Sequence, residues 1–130
     1  MNINIEDFKK MEIKIGTILS AEKVPDADKL IKFSVDLGLK RSSEDRSPEH
    51  SQEENVLGEE RDIRTILSGI ATHYSDETVL VGKQVPVLSN LEPRVIRGIE
   101  SQGMILYVVG EDMLTTIEPG VKVAPGTKVA

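Results

Sequence analysis

The chain contains no cysteine and no tryptophan. Without thiols there can be no disulfide and no thiolate metal centre, so packing must hold the fold, and a cytoplasmic location is expected. Aromatic residues are scarce as well, two Phe and two Tyr among 130 residues. Phe33 falls on an apolar strand face, which leaves few side chains for stacking on unpaired bases and argues against reading of single strands base by base. No apolar run approaches the ~20 residues of a membrane span, and no basic-plus-apolar leader is visible. Basic charge is not in excess either: 16 Lys and Arg stand against 22 Asp and Glu, a net charge of −6. That balance excludes a polyanion binder over its whole surface, because such affinity depends on cations set against phosphates.

The negative charge is concentrated. Between Lys40 and Asp62 four cationic residues oppose eight anionic ones, a local charge of −4, so the rest of the chain carries only −2. Val56 and Leu57 are the only large aliphatic pair in this stretch, which cannot repay its ordering entropy by burial. The expectation is one domain over residues 1–130, interrupted by a mobile acidic insertion at 40–62.

Alternation supplies the elements. Asn4 followed by Ile5, Glu6 and Asp7 predicts a short helix reaching about Met11, with Phe8 plugging one barrel end. From Glu12 to Val24, Ile13, Ile15, Thr17 and Leu19 lie on one face and Lys14, Gly16 and Ile18 on the other, a long strand that Gly16 could bend. Leu30 to Leu37 places Ile31, Phe33, Val35 and Leu37 inward and Lys32, Ser34 and Asp36 outward. Strands follow at Ile63–Ser68, Lys83–Ser89 and Gly103–Val109, with a helical turn around Ile70–Leu80. The fold class is therefore all-β, five strands closing a small barrel with short helical elements. Beyond Gly110, two Pro-Gly turns separated by VKVA predict a C-terminal β extension.

Residue sets that could carry chemistry do not assemble. Ser68, His73 and Asp76 have the residue types of a hydrolytic triad but no nucleophile-elbow pattern. Asp26 and Asp28 lie in a Pro-initiated turn without a calcium-loop glycine. His50 and His73 show no ligand spacing, and phosphate-cradling and dinucleotide glycine motifs are missing. No catalytic residue, metal or cofactor is expected.

The informative run is Asn90–Met104, NLEPRVIRGIESQGM, between two strand-like segments. Pro93 stiffens it, Gly98 and Gly103 permit close approaches, and Arg94 and Arg97 offer planar forks suited to phosphate oxygens. Asn90, Ser101 and Gln102 add neutral donors and acceptors. A surface connection in which Glu92 and Glu100 half cancel the arginines is the plainer alternative.

This run resembles the signature of the tRNA-binding domain that occurs at the C-terminus, or as a separate beta chain, of methionyl-tRNA synthetases. VPDADKL (Val24–Leu30) and RTILSGIATHYS (Arg64–Ser75) resemble two further stretches of that family, in the same order, so the likeness covers about residues 5 to 110. It implies an oligonucleotide-binding (OB) barrel that binds tRNA without charging it. It also implies Lys29, Arg94 and Arg97 on phosphates, and Ser68, Asn90, Ser101 and Gln102 on sugars or base edges. Met104 could present an adaptable apolar surface or fill the barrel. The family further implies homodimerisation through the tail, Thr115–Ala130, and association with a methionyl-tRNA synthetase catalytic chain; the tail strands could equally complete the monomer's own barrel. A protein-interaction module of a synthetase assembly, without RNA contact, stands as the rival function.

Overall fold

The computed structural model describes residues 1–40 and 60–130. The proposed acidic insertion therefore lies almost wholly outside the described residues. Its ends are placed: the Lys40 amide donates to the Glu60 carbonyl at 2.9 Å, and β3 already begins at Arg61, so Arg61 and Asp62 belong to a strand and not to the insertion.

Four strands lie where the alternation predicts them: β1 (Ile13–Lys23), β2 (Ile31–Leu39), β3 (Arg61–Ser68) and β4 (Gln84–Leu88). They form an antiparallel sheet in the order β3-β2-β1-β4, extended at the β4 edge by β7 (Met104–Ile105) and beside β1 by β10 (Lys128–Val129). The inward face of β2 is Ile31, Phe33, Val35 and Leu37, all but fully buried, and it meets Ile66, Val85, Val87 and Ile105. Each such side chain contributes roughly 1.5–3 kcal/mol by leaving water.

β1 departs from simple alternation. Its inward residues are first Gly16 and Ile18, then Ala21, because the pairing with β2 shifts between Ile18 and Ser20. Ile18 stays in step with Gly16 and is buried, Leu19 falls on the other face and is exposed, and the bulge turns Ala21 inward where an unbroken alternation places Ser20. Gly16 serves close packing: a Cβ there would lie 2.5 Å from Val35 Cγ1 and 2.9 Å from Leu37 Cδ2.

Other expectations need correction. The helix is only Ile5–Lys9, capped by Asn4 Oδ1 on the Asp7 amide, and Phe8 is half-buried and stands outside the core cluster. The Gly103–Val109 run is two strands. Met104 and Ile105 pair with β4, while β8 (Tyr107–Val109) leaves the barrel sheet to pair with β9 (Leu114–Thr116). Two short 3-10 turns, Ala71–His73 and Glu77–Leu80, occupy the predicted helical turn.

The tail folds back onto its own barrel. The Ile15 amide donates to the Thr127 carbonyl at 2.8 Å, and the Gln84 side chain both donates to the Val123 carbonyl and accepts from its amide. Gly38, at φ 92, accommodates the crossing, since a Cβ there would fall 2.4 Å from the Pro125 carbonyl oxygen.

Candidate nucleic-acid interface

The Asn90–Met104 run forms a β-hairpin. β5 (Arg94–Ile96) pairs with β6 (Ile99–Ser101) across the two-residue turn Arg97-Gly98. Both turn residues have positive φ, 54° and 79°, as a type I′ turn demands. Gly98 adopts this without strain, but Arg97 carries a penalty of about 1–2 kcal/mol for the left-handed conformation. The register puts Arg94, Ile96, Ile99 and Ser101 on one face of the hairpin and Val95 and Glu100 on the other. Arg94 and Arg97 are both exposed.

β3 anchors the hairpin and closes the barrel. The Gln102 amide donates to the Thr65 carbonyl at 2.8 Å, and Gln102 Oε1 accepts from the Thr65 amide at 3.0 Å. Two residues on, Ser101 Oγ accepts from the Leu67 amide at 3.0 Å. Side chains thus replace carbonyls as partners for the outer edge of β3, in a place where an unpaired N–H would be buried. Arg64, which the sequence reading did not single out, locks the same junction: its guanidinium holds Asp62 at 3.0 Å through two nitrogens and donates to the carbonyls of Ser89 and Gln102.

The remaining residues proposed from sequence separate into two kinds. Asn90 is a clamp: Oδ1 accepts from the Glu12 amide at 2.9 Å and Nδ2 donates to the Lys10 carbonyl at 2.7 Å, which joins the hairpin's base to the start of β1. Ser68 is buried and accepts from the Tyr107 hydroxyl at 2.9 Å. Burial pushes the Tyr107 phenol up to about 12. Met104 is exposed, so it does not fill the barrel. Lys29 is exposed on the β1–β2 loop, and its carbonyl accepts from the Ala71 amide at 3.0 Å, just past the end of β3. Ile31, two residues after Lys29, pairs with Ser68.

Lys29 and the arginine hairpin are therefore both fastened to the C-terminal end of β3. In OB barrels the strand 2–3 face and the loops on either side of it hold oligonucleotides. Here that face carries Lys32, Ser34 and Thr65. Among the described residues, Lys29, Arg94 and Arg97 enter no ion pair, while Arg61 and Arg64 are each paired with an aspartate. Three unpaired cations at one end of a β-barrel, with no cluster of metal-ligating residues among the described ones, are suited to phosphate binding.

Comparison with known families identifies the domain. Residues 52–128 match the family described as "Putative tRNA binding domain". The chain belongs to this tRNA-binding domain family. The match spans Ser68 and the whole hairpin but begins after Lys29. A longer alignment covers Lys29: the methionine–tRNA ligase of Bacteroides fragilis is 43% identical over 129 residues, 98% of this chain but 16% of that protein. The chain thus spans about a sixth of the length of the curated relatives it matches. Among solved structures, a MetRS-related protein from Pyrococcus horikoshii superposes with a TM-score of 0.78 at 30% identity, covering 100% of this chain and 99% of the other. The chaperone CsaA of Bacillus anthracis superposes at 0.74 with 22% identity over the full length of both chains, a likeness of fold alone. Family membership makes this tRNA-binding domain a non-catalytic module with an all-β, OB-like fold.

Proposed function

We propose that the domain binds tRNA by its shape and backbone and so assists aminoacylation by methionyl-tRNA synthetase, either as part of that enzyme or as a free-standing cytoplasmic partner of its catalytic chain. The observation that carries this reading is the placing of Lys29, Arg94 and Arg97, exposed and unpaired among the described residues, on two elements fixed to one end of β3. In this reading those three meet phosphates. Asn90, Ser101 and Gln102 hold the hairpin that presents the arginines, Ser68 anchors Tyr107, and Met104 offers an adaptable apolar surface to a sugar. Phosphate contacts position a protein on RNA without reading sequence, so different tRNAs are bound alike.

The test is a titration with several tRNAs across a salt series. Comparable affinities are expected, with log K falling against log salt by about 0.7–0.9 for each of three contacts. No binding at low salt, or strong preference for one tRNA, contradicts the reading.

The domain also works as a homodimer in this reading. Val109 and Val121, both more than 70% exposed, lie in the C-terminal region with Val108, Met113 and Ile117, also exposed. Val121 lines a groove of about 480 Å³ together with Val79, Val81 and Pro119. Pairing of β9 with β8 and of β10 with β1 uses the tail's backbone within the monomer, so the proposed contact is made by apolar side chains and not by strand addition. Two copies present two basic hairpins to one RNA.

A further inference from the structure

The opposite end of β3 opens on a second polar region. The mouth of the barrel there is a groove of about 890 Å³ whose lining includes Lys14, Lys40, Arg61, Asp62 and Arg64, with Pro125 and Gly126 of the tail as a wall. Lys14 is directed into this mouth: it lies opposite buried Val87 and shares the inward face of β1 with Gly16.

Most charges at the mouth are answered. Arg61 Nε binds both oxygens of Asp36, at 3.1 and 2.9 Å. Arg64 is held by Asp62, and Lys40 lies 3.9 Å from Glu60. Among the described residues Lys14 is not answered. Its direct cross-strand partner in the β1–β10 pair is Lys128, and among the described residues neither lysine has an acidic partner. Like charges directly opposite on paired strands destabilise the pairing. Here the tail has folded back to create such a pair, of which Lys14 lines the groove, and an anion between the two ammonium groups would relieve the repulsion.

We infer that Lys14 and Lys128 form a second phosphate-binding site of this domain, which takes the backbone of a bound RNA beside the hairpin's base. The inference rests on the tRNA reading above. Lys14 lies two residues beyond Glu12, whose amide donates to Asn90 Oδ1 at the hairpin's base, so the two lysines extend the cationic surface of the hairpin along β1 and β10.

The experiment compares tRNA titrations of the full chain, Lys14→Gln with Lys128→Gln, Lys128→Gln alone, and Arg94→Ala with Arg97→Ala, each across a salt series. Lys128 is exposed, so its single substitution leaves the fold intact. The double lysine variant is expected to lose about tenfold in affinity with a salt slope lower by one to two, and Lys128→Gln alone a smaller loss in the same direction. Unchanged tRNA affinity and slope in both lysine variants, while the arginine variant is weakened, overturns this inference and leaves the hairpin reading standing. Absence of tRNA binding by the unaltered chain overturns both. The other source of phosphate is free in solution: if inorganic phosphate raises the melting midpoint of the unaltered chain but not of the lysine variants, and tRNA affinity is the same in all, the mouth holds a small anion and the RNA assignment is wrong.

Discussion

Replacing Ser101 by alanine separates framework from contact at the hairpin. Ser101 is buried, and its hydroxyl is the acceptor for the Leu67 amide at 3.0 Å. Alanine keeps the backbone and leaves that N–H without a partner in a place closed to solvent. Leaving a buried donor unsatisfied costs about 1–3 kcal/mol, while a neutral hydrogen bond exchanged with water is worth only about 0.5–1.5 kcal/mol. The larger figure applies because the Leu67 side chain is buried as well. For a domain of this size each kcal/mol lowers the melting midpoint by about 4 °C, so a fall of roughly 4–12 °C is expected. Urea titration followed by circular dichroism should show the same loss with an unchanged m-value, since the surface exposed on unfolding is the same. At a temperature where the variant is fully folded, its tRNA affinity should stay within about twofold of the parent. Stability unchanged to within about 0.5 kcal/mol, as expected for ordinary surface substitutions, would refute the assignment of Ser101 as the closure of the barrel.

Three further outcomes follow from the geometry. The Tyr107 phenol has its ordinary value of 10.0 raised to about 12 by burial; the folded state then holds its proton more tightly than the unfolded chain, so stability is complete below pH 10 and declines from there toward pH 12 by about 2–3 kcal/mol. Tyr107→Phe should flatten that decline in alkaline denaturation curves, and an unchanged curve contradicts it. Replacing residues 41–59 by a short Gly/Ser link should preserve cooperative melting, because Lys40 and Glu60 are already joined by a backbone hydrogen bond, and should strengthen tRNA binding by removing net negative charge; loss of the transition shows a structural insertion. Sedimentation equilibrium should find a dimer that Val109→Glu together with Val121→Glu converts to monomer without lowering the melting midpoint, whereas a full chain that is monomeric at high micromolar concentration contradicts the dimer.

The parts of the fold legible in the sequence are those governed by period two. Ile31, Phe33, Val35 and Leu37 identify β2 and its buried face, and Val85 and Val87 do so for β4. The bulge after Ile18 was hidden because an inserted residue changes the facing of a strand without changing its composition. The β5–β6 hairpin escaped notice for another reason: its strands are three residues long, too short for alternation to register, and its turn carries Arg97 where Asn or Asp is the usual signal. The candidate site was legible in its charged residues only. Lys29, Arg94 and Arg97 stand out by charge and are indeed exposed. Asn90, Ser101 and Gln102 look identical in sequence whether they face a ligand or a backbone amide 30 to 80 residues away, and only the structure reveals the amide. Arg64 went unremarked because its role depends on carbonyls from two distant segments.

The central claim is that the hairpin arginines bind tRNA through phosphates. The most direct measurement is the affinity of Arg94→Ala and of Arg97→Ala for a panel of tRNAs at several salt concentrations. Each variant should lose affinity for every tRNA in parallel, with a salt slope reduced by about one. Unchanged affinity in both variants, or a loss confined to one tRNA, would contradict it.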